Sequence, residues 1–249
     1  MSKIFKQKTE NDVKPLILYG RHAVLAALKN PKRQINKILC VKENAEEIRK
    51  VCKIAPQVVE RKEIDKLVGT DAVHQGFALF CQRLEDWSLD EIIELAEEKQ
   101  DCHVLILDQV TDPQNVGTII RSAVAFDTLA LIVQDKNSPQ ENGAMAKAAV
   151  GMIEHLPVVR VTNLSRAINQ LKDAGFWTVG MDGYAKVTMD KLDKKGKTAI
   201  VMGSEGKGMR RLVEENCDVL VKLDMSPLAE SLNVATAAAI ALYEINKKQ

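Results

Sequence analysis

The chain has few of the features that would assign it at once to a class. No apolar run reaches the roughly 18 residues that a membrane-spanning helix needs, so we expect no membrane partner. The first 14 residues contain no apolar segment of the secretion-signal type, which favours a cytoplasmic protein. The five cysteines are odd in number and far apart, and none belongs to a CxxC or Cys/His spacing. We therefore expect reduced thiols and no metal site.

Aromatic residues and the common nucleotide-binding loops are also lacking. Aromatic side chains make up 4% of the chain, too few for the stacking platform of single-strand binders. The segment VMGSEGKGM is rich in glycine, but Met209 and Arg210 stand where a Walker A loop has Lys and Ser or Thr. It does not match GxGxxG either. These absences argue against a P-loop nucleotidase and a dinucleotide-dependent enzyme.

Charge is unevenly distributed along the chain. Up to residue 80 there are 16 basic against 9 acidic residues, a net charge of +7, while the remainder has a net charge of −6. Clustered cations of this kind are expected on a surface that contacts phosphates, although a solvated basic face has the same composition. The candidate RNA-contacting residues are Arg21, Lys32, Arg33 and His74.

The length of 249 residues suits two α/β domains. Residues 1–14 are polar and aperiodic and are expected to form a tail, and residues 15–84 alternate short β-rich runs with helical patterns. Residues 85–100 include Ser88 and Glu91 at capping-box spacing, which predicts a linker helix. The second domain is expected over residues 101–249.

Continuous apolar runs separated by helical segments predict a parallel sheet in this second domain, with both faces covered. Ligands of such sheets bind beyond the carboxyl ends of the strands, so the loops there are the expected sites of chemistry. The predicted strands are HVLILD (103–108), TLALIV (128–133), VVRV (158–161), WTVGM (177–181), AIVMG (199–203) and VLVKL (219–223).

Three loops in this domain have unusual composition. In LDQVTDPQNVGTIIRSA, Asn115 is expected at the start of a helix that carries Arg121; a cap and a surface charge are the simpler interpretation. In VMGSEGKGM, glycines surround Glu205 and permit close main-chain approach to a ligand, or a tight turn. In AESLNVATAAAIAL, either Ser231 or Asn233 can cap the following helix, but capping explains just one polar residue of the cluster.

Together, DPQNVGTIIRSA, VMGSEGKGMR and AESLNVATAAAIALYE resemble, in order and spacing, the SpoU (TrmH-like) branch of the SPOUT RNA methyltransferases. LILYGRHAVLAAL, TDAVHQGF and RVTNLSRAINQL look like segments of the bacterial members that methylate a guanosine 2′-hydroxyl in large-subunit ribosomal RNA. The resemblance extends from about residue 16 to residue 245.

This resemblance implies an N-terminal RNA-binding domain similar to small ribosomal proteins and a catalytic α/β domain with a deep trefoil knot. It also implies a homodimer with its site at the subunit interface. The implied cofactor is S-adenosylmethionine, bound mostly through backbone groups and without a metal. By resemblance, the cofactor residues are Gly203, Leu223 and Leu232, with Met202, Gly206 and Met225 beside them.

By the same resemblance, the catalytic group comprises Asn115, Arg121, Glu205, Ser231 and Asn233, with Ser231 and Asn233 binding substrate and orienting Arg121. A guanidinium is effectively always protonated in proteins, so we expect Arg121 to orient the hydroxyl or a phosphate. Glu205 is then the alternative proton acceptor, or a partner that fixes Arg121.

The chain departs from the family pattern at three positions, none of which removes a catalytic group. Asp224 replaces a usual Pro, Ala235 a Ser and Asp127 a common Gly. Two other functions stay open at this stage: a methyltransferase acting on transfer RNA, and a non-catalytic RNA-binding protein of ribosome assembly.

Overall fold

The computed structural model describes residues 15–192 and 196–247. The predicted tail, residues 1–14, lies outside the described residues. Within them the chain forms a four-stranded sheet followed by a seven-stranded sheet, each with its own helices. This arrangement is the α/β organisation expected from the alternating sequence patterns.

The small sheet is built from short strands near the N-terminus. Its strands are β1 (Leu16–Tyr19), β2 (Ile35–Cys40), β3 (Gln57–Val58) and β4 (Phe77–Cys81). Their order is β1-β4-β2-β3, with β4 antiparallel to both β1 and β2 and β3 parallel to β2. The helices of this region are α1 (Arg21–Lys29), α2 (Ala45–Val51) and α3 (Arg61–Val68), with a 3₁₀ turn at Lys42–Asn44.

The large sheet is parallel at every neighbouring pair, as the continuous apolar runs predict. Its order is β7-β6-β5-β10-β8-β11-β9, so strands distant in sequence are neighbours at its centre. The strands are β5 (Cys102–Leu107), β6 (Leu131–Gln134), β7 (Val158–Val161), β8 (Phe176–Met181), β9 (Val187–Thr188), β10 (Lys197–Met202) and β11 (Val219–Lys222).

Helices cover both faces of this sheet. They are α4 (Leu89–Glu97), α5 (Pro113–Ala125), α6 (Gly143–Ala149), α7 (Leu164–Asp173), α8 (Arg211–Glu214) and α9 (Val234–Asn246), with 3₁₀ turns at Met152–Glu154 and Met189–Lys191. The six strands predicted for this domain are all present, within a few residues. The two-residue β9 is too short to give a pattern in the sequence.

Strand β6 starts at Leu131, three residues later than predicted. The preceding Asp127 adopts a left-handed backbone with φ of 55°, a conformation that favours glycine and that Asp tolerates better than most residues. This explains how Asp127 can stand where the family commonly has Gly. Because the chain turns at Asp127, β6 begins only at Leu131.

The helix expected to link the two domains, α4, packs on the large sheet. Its capping box is present: Ser88 Oγ accepts from Glu91 N at 3.2 Å, and Ser88 N donates to Glu91 Oε2 at 2.7 Å. Leu89, Ile92 and Ala96 are buried in one cluster with strand residues of the large sheet. The helix is therefore fixed by apolar burial.

A continuous cluster of buried residues joins the two sheets. Leu18 and Phe77 of the small sheet belong to the same cluster as Leu107 of β5 and Met145 of α6. Since burying apolar surface favours association by roughly 25 cal/mol per Å², this shared core holds the domains in one orientation.

Candidate active site

Three side chains from the three unusual loops meet at the carboxyl edge of the large sheet. Asn233 Nδ2 donates to Asn115 Oδ1 at 3.0 Å and to Glu205 Oε1 at 2.7 Å. The backbone N of Val234 donates to the same Glu205 oxygen at 2.8 Å. One carboxylate oxygen therefore joins the second loop to the start of α9, and Asn233 joins both to the first loop.

Asn233 has its geometry because it caps α9. Its Oδ1 accepts from the backbone N of Ala235 at 2.9 Å and of Thr236 at 3.4 Å, so its amide nitrogen is turned towards the other loops. Of the two capping residues that the sequence allows, the structure selects Asn233. Ser231 lies in the exposed segment just before it.

Helix α5 supplies the first-loop residues. Asp112 caps it by accepting from the backbone N of Gln114 and Asn115, and Pro113 occupies the first turn, where a missing N–H costs least. Asn115 is thus in the first turn, as expected. Arg121, two turns further along α5, is exposed.

The expected link between Arg121 and the third loop is not present in the described protomer. Asn233 and Glu205 bind each other and Asn115, and no hydrogen bond or ion pair joins either of them to Arg121 within residues 15–192 and 196–247. Within one protomer, Glu205 and Asn233 therefore do not fix the guanidinium, and a contact with Arg121 across a subunit interface stays a prediction. The physical reason is that the cap geometry directs the Asn233 amide and the Glu205 carboxylate to each other.

The glycine-rich loop closes on itself as a tight hairpin. Ser204 N donates to Gly208 O at 3.1 Å, and Gly208 N donates back to Ser204 O at 3.0 Å. A Cβ atom on Gly203 would lie 2.2 Å from the Gly208 carbonyl carbon, so no larger residue fits there. Gly206 has φ of 76°, which only glycine adopts readily. The glycines are needed for this backbone path.

Asp108 and Arg210 anchor the hairpin and were not singled out from the sequence. Asp108 is fully buried directly after β5, and its backbone N donates to Met202 O at 2.8 Å. Its carboxylate accepts from the backbone N and the Nε of Arg210, both at 2.8 Å. The sequence feature that could have identified Asp108 is its position as an acidic residue directly after a predicted apolar strand.

The expected cofactor residues lie at the carboxyl ends of β10 and β11 and in the segment before α9. Met202 is buried at the end of β10, next to Gly203, while Leu223, Met225 and Leu232 are half-buried. Apolar side chains beside a main-chain hairpin suit an adenosyl group, whose base presents an apolar face and polar edges. Gly206 is exposed on the hairpin, and Asp224 is exposed among the apolar residues.

Arg33, expected to contact RNA phosphates, is instead buried between the domains. Its guanidinium has no exposed surface and pairs with Glu141 at 2.8 Å and Glu154 at 2.6 Å. It also donates to Gln82 O at 3.0 Å. Burial alone lowers the pKa of Arg33, but hydrogen bonds to the two carboxylates outweigh it and raise the pKa. The prediction was wrong because acidic partners more than 100 residues away bind the guanidinium.

The prediction that His74 contacts RNA is also wrong, because the residue is buried. It is 3% exposed; its Nε2 lies 2.8 Å from Asp65 Oδ1, and its Nδ1 accepts from Gly76 N at 3.1 Å. Its ring therefore holds the turn before β4. Arg21 and Lys32 stay exposed, Arg21 pairing with Glu47 and Lys32 lying 5.1 Å from the ring centre of Trp87.

Cavities and possible metal sites elsewhere in the described ranges are the features to compare with the cluster of Asn115, Glu205 and Asn233. Two cavities, of about 950 and 1200 Å³, lie at the amino edge of the large sheet and between the domains. Across the described ranges there is no group of three or more His, Cys, Asp or Glu residues placed to hold a metal. No helix in those ranges is long and apolar enough to cross a membrane.

Comparison with known families matches both parts of the chain. Residues 103–243 match the SpoU rRNA Methylase family, and residues 17–87 match the RNA 2′-O ribose methyltransferase substrate binding family. The chain is 37% identical to the TrmH family tRNA/rRNA methyltransferase YacO of Bacillus subtilis, over 92% of this chain and 94% of that protein. A TrmH family relative from Staphylococcus aureus is 38% identical over 94% and 96%.

Solved structures share the fold. The SpoU methyltransferase AviRb from Streptomyces viridochromogenes, in complex with AdoMet, has a TM-score of 0.78 at 22% identity, covering 92% of this chain and 88% of that one. An AdoMet-bound rRNA methyltransferase from Sinorhizobium meliloti has a TM-score of 0.76 at 22% identity, covering 92% and 86%. The A. aeolicus TrmH/SpoU tRNA modifying enzyme has a TM-score of 0.52 at 26% identity, covering 64% and 80%.

The match to the catalytic family covers more than half of the chain, and the curated relatives align with nearly all of it. The chain therefore belongs to the SpoU rRNA methylase family of RNA 2′-O-ribose methyltransferases.

Proposed function

We propose that the chain transfers a methyl group from S-adenosylmethionine to the ribose 2′-hydroxyl of a guanosine in large-subunit ribosomal RNA. The observation that carries the methyl-transfer part of this proposal is the meeting of Asn115, Glu205 and Asn233 beside the Gly203 hairpin. The guanosine in ribosomal RNA follows the resemblance of the sequence segments named above. Side chains from three loops that are far apart in sequence converge where parallel sheets bind ligands.

S-adenosylmethionine is proposed as the methyl donor because the apolar and main-chain groups at the ends of β10 and β11 suit it. Two structural neighbours were solved with AdoMet bound, which supports the choice. The bound cofactor supplies an electrophilic methyl group on sulfur. The chain must then align a ribose hydroxyl with it, and such alignment contributes on the order of 7–11 kcal/mol in well-oriented reactions.

We assign different roles to Glu205 and Arg121. The Glu205 carboxylate oxygen already accepts from Asn233 and Val234, so its proposed role is to hold the start of α9 against the hairpin. The exposed guanidinium of Arg121 is proposed to bind the substrate hydroxyl or an adjacent phosphate. Ser231, exposed beside Asn233, is proposed to complete the substrate contact.

Ribosomal RNA is proposed over transfer RNA because of the additional N-terminal domain. The rRNA methyltransferase from S. meliloti aligns with 92% of this chain, including that domain, whereas the A. aeolicus tRNA enzyme aligns with 64%. A transfer RNA substrate is the alternative.

We further propose a homodimer with the site at its interface. Helix α9 packs on α5 through an edge-on contact of Phe126 and Tyr243, with ring centres 5.9 Å apart. Tyr243 nevertheless stays 50% exposed, and Ile240, one turn earlier, is 38% exposed. These half-exposed apolar side chains on the helix that begins at Asn233 suit a second copy of the chain, and sedimentation at micromolar concentration should show a dimer.

Mapping of 2′-O-methyl groups in total RNA tests the proposal. Cells lacking the protein should lose one guanosine methylation in large-subunit rRNA, and expression of the wild-type chain should restore it. Loss at a transfer RNA position instead would establish the alternative. Calorimetry of the purified chain after chelation should still show S-adenosylmethionine binding, and a strict metal requirement would contradict the proposed site.

A further inference from the structure

Two apolar side chains project into solvent from adjacent loops at the edge of the large sheet that carries the active site. Leu228 is 96% exposed and Tyr184 is 91% exposed, the highest values among the large apolar residues of the described ranges. Next is Val73, at 67%. Burying an exposed apolar side chain is favourable, so these two side chains are available to a binding partner.

The sheet topology places Tyr184 in the loop that crosses the end of β11. Strand β8 lies between β10 and β11, and all three strands are parallel. The loop after β8 starts next to the Gly203 hairpin, which follows β10, and crosses β11 to reach β9 on the other side of that strand. Tyr184, in the middle of this loop, therefore lies beside the segment from Leu223, which follows β11. That latter segment carries Leu228.

The loop holds Tyr184 in a defined position. Asp182 N donates to Val221 O at 2.9 Å, which ties the start of the loop to β11. Asp182 Oδ1 accepts from Tyr184 N at 3.0 Å, and Asp182 O accepts from Ala185 N at 3.1 Å. Ala185 is 7% exposed, so the residue after Tyr184 is anchored in the protein. An anchored turn that presents a solvated aromatic ring is a preorganised contact.

We propose that Tyr184 stacks on an unpaired nucleobase of the substrate RNA and, with Leu228, forms an apolar rim that positions the target nucleotide. This inference rests on the proposed function. RNA-binding proteins recognise unpaired bases by stacking them on aromatic side chains. Lys186, exposed two residues after Tyr184, can contact the phosphate of the same nucleotide.

The test compares Tyr184→Ala and Tyr184→Phe with Trp177→Ala. Trp177 is a matched control because it is a 52% exposed aromatic near the amino end of the same strand, β8, at the opposite edge of the sheet. The probe is large-subunit rRNA from cells that lack the protein. For each folded variant, RNA affinity, S-adenosylmethionine affinity, single-turnover rate and sedimentation are measured.

Tyr184→Ala should weaken RNA binding about 10- to 100-fold, the loss expected for one stacked base. Tyr184→Phe, which keeps the ring, should bind within about twofold of wild type, and so should Trp177→Ala. Affinity for S-adenosylmethionine and the dimer should be unchanged in all three variants.

Three results would overturn the inference: wild-type RNA affinity in Tyr184→Ala, a loss confined to S-adenosylmethionine affinity, or dissociation of the dimer. The first would leave the proposed function intact as long as the wild-type chain methylates the rRNA. Failure of the wild-type chain to methylate that rRNA would count against the function itself.

Discussion

Asn233 and Glu205 are 28 residues apart in the chain and are joined by a hydrogen bond of 2.7 Å from the Asn233 amide to the Glu205 carboxylate. The same Asn233 side chain caps α9 through its oxygen. One residue therefore caps the last helix and also binds the glycine-rich hairpin through Glu205. Its two functions can be separated by mutation.

Asn233→Asp should keep the helix cap and lose activity. Asp caps helices as well as Asn does, so the cap contribution of about 1 kcal/mol is retained. The new carboxylate cannot donate to Glu205 and repels it at 2.7 Å. Thermal unfolding and single-turnover methylation measure the two effects. Asn233→Ala, which lacks the cap as well, is the comparison, and wild-type turnover in Asn233→Asp would contradict the proposed contact.

Arg121→Ala should reduce turnover with little change in stability. Its side chain is exposed and bonds to neither Glu205 nor Asn233, so its removal disrupts none of the loop contacts described above. Loss of a contact made in the transition state lowers kcat and kcat/KM together. Affinity for S-adenosylmethionine by calorimetry should stay near wild type. A wild-type methylation rate would exclude Arg121 from the chemical step.

Arg33→Met should destabilise the fold by about 3–5 kcal/mol, because it leaves two buried carboxylates without their cation. Urea unfolding measures the change. A triple variant that adds Glu141→Gln and Glu154→Gln removes those charges and should recover much of the loss. Unchanged stability in Arg33→Met would show that the buried ion pairs contribute nothing.

Lys32→Glu should instead weaken RNA binding with little effect on folding, because Lys32 is exposed. Removing one lysine–phosphate pair should reduce the slope of log affinity against log salt by about 0.7–0.9, since fewer counterions are released on binding. A salt titration of RNA binding checks this, with turnover at saturating RNA expected to persist. An unchanged slope would remove Lys32 from the RNA surface.

The stability of the protein should fall as the pH drops below about 6.5, in part through His103. Burial lowers the pKa of His103 below its ordinary value of 6.5, so the unfolded chain binds a proton there more readily than the folded protein. The stability from this residue is complete above pH 6.5 and is lost as the pH falls towards the lowered pKa. His103→Gln should flatten the pH dependence of urea unfolding, and an unchanged dependence would exclude His103 as a contributor.

Local patterns in the sequence determined many of the helices and strands and identified residues of the candidate active site. The continuous apolar runs of the strands, the Ser88 capping box and the glycines of the hairpin each depend on residues a few positions apart, so they can be recognised in the sequence alone. The resemblance to the SpoU branch then identified Asn115, Glu205 and Asn233, which the structure brings together. The trefoil knot stays a prediction of that resemblance.

Only the tertiary structure decided which charged side chains are buried in ion pairs and which are exposed to a substrate. Arg33 looks like part of a basic surface in the sequence, but its partners Glu141 and Glu154 lie 108 and 121 residues away. Asp108 reaches Arg210 across 102 residues because Asp108 follows β5 and the hairpin before Arg210 follows β10, and these two strands are neighbours in the sheet. A charged side chain is buried or exposed according to the partners that long-range packing brings to it, and no local pattern of residues records them.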